Sequence, residues 1–214
     1  MSTNGAIGFI LNGKEHIAYN HSDSYPTWLG ERVLKYVREN VNGKTDEIKQ
    51  KVSKLIPVDE DKKPTAEQFD DLIGYMQDGV GGSDDDWYRL LRGTQGDLEK
   101  MLAAKYYIDY ESFLACSIHC EWAYIVNLDT QELEIYRGSN RDKNAKGRYA
   151  KLDDGDNSRR KKNRIGSYYG VLLLASIPFS QIGALTDDKI KCLTEELEEE
   201  AGQIREEQEK KFGK

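Results

Sequence analysis

Apolar and polar residues alternate with a period of two through the first twenty positions. Ile7, Phe9 and Leu11 share one face of an extended run over 6–11, and Ile17 and Tyr19 share one face of a second run over 14–20. Asn12-Gly13 separates them. Both central residues of a tight type I′ turn need positive φ, so the pair predicts a β-hairpin. Gly5 and Gly8 predict a bulge or a close backbone approach. The period then becomes helical: Leu29, Val33, Tyr36 and Val37 form a stripe behind Pro26, with Ser24 or Thr27 as the cap. Asn42-Gly43-Lys44 stops that helix. A second helix is predicted over Thr45–Ile56, ended by Pro57. A third starts at Thr65, where Gln68 stands three residues on, the spacing of a capping box, and its apolar face is Phe69, Leu72, Ile73 and Met76.

The pattern continues with a flexible break at 79–83 and an acidic helix start at 84–86, then two helical pieces, Trp87–Leu91 and Asp97–Ala104, interrupted near Gly93–Gly96. Alternation returns over Trp122–Asn127 and Glu132–Arg137, a second hairpin turning at 129–131. Tyr168–Ile177 is the most apolar strand and is predicted to be central. A last helix over 187–211 carries the narrow stripe Ile190, Leu193, Leu197, Ala201, Ile204 and Phe212. Two antiparallel hairpins, a lone strand and no repeated β-α-β pattern predict an α+β fold: a mainly antiparallel sheet of about five strands, covered by helices. Residues 1–186 read as a single domain with an insertion at 138–164, and 187–214 as an amphipathic C-terminal helix.

Charge sharpens this picture. The 214 residues are 32% charged and carry a net −7. Residues 138–164 hold ten Lys and Arg against four Asp, so an acidic body carries one basic segment. The longest apolar run, Val171–Ile177, is only strand-sized, and no secretory signal is expected at the start. Three cysteines in no disulfide pattern fit a reducing cytosol, the expected location.

Several blocks carry a resemblance. They are Gly5-x-x-Gly8-Phe9, Tyr19-Asn20-His21, Asp23-Ser24-Tyr25-Pro26 and Leu29-Gly30, with Trp87–Arg92, Gln95-Gly96, and Cys120–Tyr124 running on through Leu133–Tyr136. Together they resemble an uncharacterised family of proteins from bacteria and their phages. The resemblance implies a bacterial or phage setting and supplies no catalytic residues.

The candidate chemistry begins at the terminus. If Met1 is removed, Ser2 offers a hydroxyl beside a free α-amine, a self-contained nucleophile and base. A hairpin strand directly afterwards makes this layout similar to that of N-terminal-nucleophile hydrolases, with Asn20, His21 and Asp23 as substrate or oxyanion groups. The plainer reading is an ordinary processed terminus. His21 and Asp23 are read as catalytic or pocket residues, with Asn20 and Tyr25 as ligand contacts; the competing reading is a polar helix-entry turn. Cys116, His119 and Cys120 share a helical face but lack a fourth zinc ligand, so no metal and no cofactor is expected. Arg159, Arg160, Lys161 and Lys162 would contact a polar ligand or an acidic protein partner, or form a solvated loop. Overall acidity makes nucleic acid the weaker partner. The narrow stripe of the last helix would serve a homodimer or pack on its own sheet. These features lead to an accessory protein that binds a small polar molecule or a partner protein, with counter-defence as a fitting role. A Ser2 amidohydrolase is the alternative, and nucleic-acid binding through the basic loop a weaker one.

Overall fold

The structure is a computed structural model that describes residues 3–77, 86–163 and 165–213. Ser2 and the break at 79–83 therefore lie outside the described residues. The elements, in order, are β1 (Gly5–Leu11), β2 (Lys14–Asn20), α1 (Glu31–Tyr36), α2 (Thr45–Val52), β3 (Ile56–Val58), α3 (Ala66–Leu72), α4 (Trp87–Leu90), α5 (Leu98–Ala104), β4 (Tyr106–Ile108), β5 (Trp122–Asn127), β6 (Glu132–Arg137), α6 (Asn157–Lys162), β7 (Leu172–Pro178), α7 (Phe179–Gly183) and α8 (Asp187–Phe212). Two π-helical turns, Pro26–Gly30 and Val37–Val41, extend α1 at either end into one continuous helix.

The fold is α+β, and its main sheet is mixed. The order is β2-β1-β5-β6-β7; β1 runs parallel to β5, and the other three pairings are antiparallel. Both hairpins form where alternation and turn residues place them. Asn12 and Gly13 have φ of 53° and 72°, as a type I′ turn requires. The second hairpin reaches back to the first: Asp129 accepts from the backbone N–H of both Asn12 and Gly13, each at 2.8 Å. These two bonds pull the Asp129 carboxyl below its usual range.

The strand at 172–178 is a correction. It pairs only with β6, at the edge of the sheet, so the central strand is β5. Its unbroken apolar run follows from cover on both faces: Leu174 and Ala175 pack on the larger core, Leu173 on the smaller one. A continuous apolar strand reports buried faces, not a paired far edge. The larger core joins one sheet face to α1, α2, α5 and α8 through residues such as Phe9, Val33, Met101, Tyr124 and Leu197. The C-terminal stripe is thus used within the chain, by Ile190, Leu197 and Ala201.

The second helix is shorter than predicted. It ends at Val52, and Ile56-Pro57-Val58 instead pairs in parallel with Tyr106–Ile108 as a two-stranded sheet. Pro57 is tolerated because this strand is an edge. The capping box at Thr65 and Gln68 is present in both directions. The cap at Pro26 differs from expectation. Neither Ser24 nor Thr27 caps the first helix; Glu198 of α8 does, its carboxylate accepting from Thr27 N–H at 3.0 Å and Thr27 Oγ1 at 2.6 Å. A carboxylate there meets the unpaired N–H groups and the positive end of the helix dipole.

The basic segment is also not a solvated loop. Tyr149, Ala150, Asn140, Asn157 and Arg160 are buried. Tyr149 meets the Tyr136 ring and shares a buried cluster with Ala6, Ile10 and Ile125, so the described part of 138–171 covers the second sheet face. Asn140 Nδ2 donates to Ala150 O and Gly170 O, and Arg148 pairs with buried Glu134 at 2.5 Å, tying the cover to the sheet.

Candidate functional site

β2 ends at Asn20, and the chain must then turn sharply into the first helix. Asn20 makes the turn by donating from Nδ2 to Ser22 O at 2.5 Å and to Ser24 Oγ at 2.8 Å. Ser24 is fully buried. Its N–H donates to Thr3 O at 3.2 Å, and its carbonyl accepts from the buried Tyr124 hydroxyl at 2.9 Å. Gly5 has to be glycine here, because a Cβ would lie 2.6 Å from Ser24 Oγ and 2.5 Å from Trp122 O. With its two ends fixed, the turn displays His21, Ser22 and Asp23 outward, and Asp23 takes a left-handed φ of 55°. Asp is among the few residues that adopt this conformation readily.

This rim opens on a cleft of about 400 Å³. Asn20, His21 and Asp23 line one side. The opposite side is Arg92 and Gln95, from the 3₁₀ turn Arg92–Thr94 that follows α4 and the residue after it. Trp28 and Leu29 of the π-helical turn, Arg32 of α1, and Gln77 complete the lining. π turns recur at functional sites because they redirect side chains that a regular helix would stack. Trp28 is the most exposed large apolar side chain in the described residues, at 66%. Arg92 is held in place: its guanidinium lies 5.5 Å from the Tyr88 ring centroid, donates to the Tyr88 hydroxyl at 3.0 Å, and donates to Gln95 Oε1. Among the described residues Arg32 makes only a long ion pair, 3.5 Å to Asp97. Gly96, with φ of 67°, backs the cleft, where a Cβ would stand 2.6 Å from Asn20 Oδ1. His21 packs edge-on to Tyr19, which also contacts Tyr110 and Phe113.

No protein-family model, curated protein or solved structure matches the chain. The site therefore has to be read from its own residues.

The structure brings Asn20, His21 and Asp23 together and separates them from the other predicted residues that it describes. Tyr25 faces a second cavity, on the other side of the same turn. Arg159, Lys161 and Lys162 are exposed on α6 and line neither cavity. Arg160 is committed elsewhere. It is buried, donating to Asp154 Oδ1 at 3.0 Å and Oδ2 at 2.5 Å, with Asp156 at 3.6 Å. These contacts hold the cover segment together. Burial alone would raise the Asp154 carboxyl, but Arg160, the Cys116 thiol and the Asp156 N–H outweigh it and hold it at about 2.

The cysteine–histidine set does not assemble. Cys120 is fully buried among Ala6, Ala123 and Tyr149, Cys116 lies against Arg160, and His119 is exposed. Among the described residues no three His, Cys, Asp or Glu side chains gather as metal ligands. No helix in the described residues is long and apolar enough to cross a membrane.

Sequence reasoning missed Arg32, Arg92, Gln95 and Trp28 as site residues. Arg92 and Gln95 stand in one of the blocks that carry the resemblance, but nothing local distinguishes them from other surface residues. Trp28 carried a signal: an aromatic two residues before Gly30 that falls outside the stripe of Leu29, Val33 and Tyr36.

Proposed function

We propose that this chain is an accessory protein of a bacterium or phage, acting in the cytosol, that binds a small polar ligand in the cleft between the β2 turn and the Arg92 turn. The carrying observation is the make-up of that cleft. Its volume is in the range of small-molecule sites, and it combines convergent polar groups with one exposed aromatic plane. Arg32 and Arg92 offer fork-shaped donors to an anionic group. The Trp28 ring offers a stacking face. Asn20, His21, Asp23 and Gln95 supply orienting hydrogen bonds. With the resemblance to proteins of bacteria and their phages, counter-defence is a fitting role.

Native mass spectrometry of the untagged protein tests this reading, followed by titration of any small molecule found. The paired substitution of His21→Ala and Asp23→Ala should weaken binding at least tenfold with the fold retained. Unchanged affinity in that variant would refute the site.

One observation keeps an amidohydrolase reading in view. Thr3 O bonds Ser24 N–H at 3.2 Å, so the start of the chain runs against the turn that carries Asp23. That reading needs Met1 removal and loss of turnover in Ser2→Ala; a retained Met1 in active protein would end it.

A further inference from the structure

Arg137 closes β6 and is almost fully out of water, with 8% of its surface exposed. Such a guanidinium ordinarily has a carboxylate partner. Among the described residues its side chain has a single hydrogen bond, from Nη1 to Gly138 O at 3.1 Å, and no ion pair. An arginine carries five N–H donors, so most of its hydrogen-bonding capacity is unspent. Burial depresses its pKa to about 10, with Arg205 adding to the effect and Glu121 and Glu209 opposing it.

The side chain lines a cavity of about 240 Å³ between the turn at Tyr25, the ends of β5 and β6, and α8. Arg205 of α8 lines the same cavity, with one edge of its guanidinium, Nε, bound to Glu209 at 3.1 Å. Of the two carboxylates on the wall, Glu198 is engaged with Thr27, and Glu121 stands beyond ion-pairing distance of Arg137. Tyr25 supplies a half-exposed aromatic wall.

We propose that this cavity is a second binding site, in which Arg137 and Arg205 clasp the carboxylate or phosphate group of a small molecule. An oxyanion would give the buried guanidinium the partner that the chain withholds, in the bidentate geometry that the planar fork favours. It would also bridge α8 to the end of the sheet, because the two arginines come from those two elements.

Thermal unfolding of the full chain in sodium phosphate, sodium acetate and sodium chloride at matched ionic strength provides the test. Phosphate or acetate should raise the midpoint saturably above chloride, and the more effective anion names the group. Arg137→Met should abolish the rise, and Arg205→Ala, at an exposed position, should weaken the apparent affinity at least fivefold. Arg159→Ala, exposed on α6 and lining neither cavity, should leave the rise unchanged. The proposal fails if neither anion exceeds chloride, if Arg137→Met still responds, or if Arg159→Ala removes the response. If Arg137→Met does not fold, an unaltered response in Arg205→Ala is the refuting result.

Discussion

Replacing Arg160 by Met separates the two readings of the basic segment most sharply. As a docking residue, Arg160 would be dispensable for stability. As the tie observed here, it is not. Its side chain is 6% exposed, that of Asp154 14%, and the two are joined by hydrogen bonds of 2.5 and 3.0 Å. Methionine keeps the apolar stem and removes the donors. The magnitude follows from the Asp154 carboxyl, held at about 2 against an ordinary value near 3.9. A shift of that size corresponds to about 2–3 kcal/mol of stability at neutral pH, of which Arg160 supplies the largest favourable part. A chain of this size should lose roughly 5–10 °C in its melting midpoint. Because the carboxyl is depressed in the folded state, this stability is present above about pH 4 and is lost as pH falls toward 2. Urea unfolding followed by tryptophan fluorescence at pH 7 and pH 3 is the assay. Arg160→Met should unfold about 2–3 kcal/mol more easily at pH 7, and the gap to wild type should narrow at pH 3. A loss below about 0.5 kcal/mol at pH 7, the range of ordinary surface substitutions, would refute the tie. So would an equal loss at both pH values.

Three further outcomes follow from the same geometry. Glu198→Ala should cost about 1 kcal/mol by uncapping the first helix and speed amide exchange at Thr27, both measurable by urea titration and hydrogen exchange. Gly96→Ala should destabilise by about 1–3 kcal/mol, since it strains a positive φ and drives a methyl into Asn20, and it should weaken cleft binding by the same titration that tests His21. A disulfide exchange reagent at pH 8 should modify exposed Cys192 first, Cys116 slowly because burial pushes its thiol up to about 11, and Cys120 only on unfolding.

What the sequence made legible was local. The first hairpin needs only alternation and Asn12-Gly13, the α3 start only Thr65 and Gln68, and the second hairpin only two alternating runs around 129–131. What it hid depends on distant partners. Gly5 lies beside Trp122, a pairing no window around either residue contains. Ile56 continues the apolar period of α2, yet its N–H bonds Lys105 O at 2.8 Å, and that distant partner decides strand over helix. Counting charges misread the basic segment because Arg160 is neutralised by Asp154 and Asp156 within its own stretch; the i,i+4 spacing of Asp156 and Arg160 was a usable clue. The cleft was half visible. Asn20, His21 and Asp23 form a local polar cluster, while Arg32 and Arg92 reach them only through the packing of two helices.

The parallel pairing of β1 with β5 also sets a timetable. Asp129, which clasps the first turn, follows Asn12 by 117 residues. At roughly 5–20 residues per second, a ribosome takes on the order of ten seconds to make that stretch. During that interval the N-terminal hairpin is complete, but one side of β1 carries unpaired backbone groups flanked by Ile7, Phe9 and Ile10. The nascent chain thus presents a sticky strand edge long before its own partner exists.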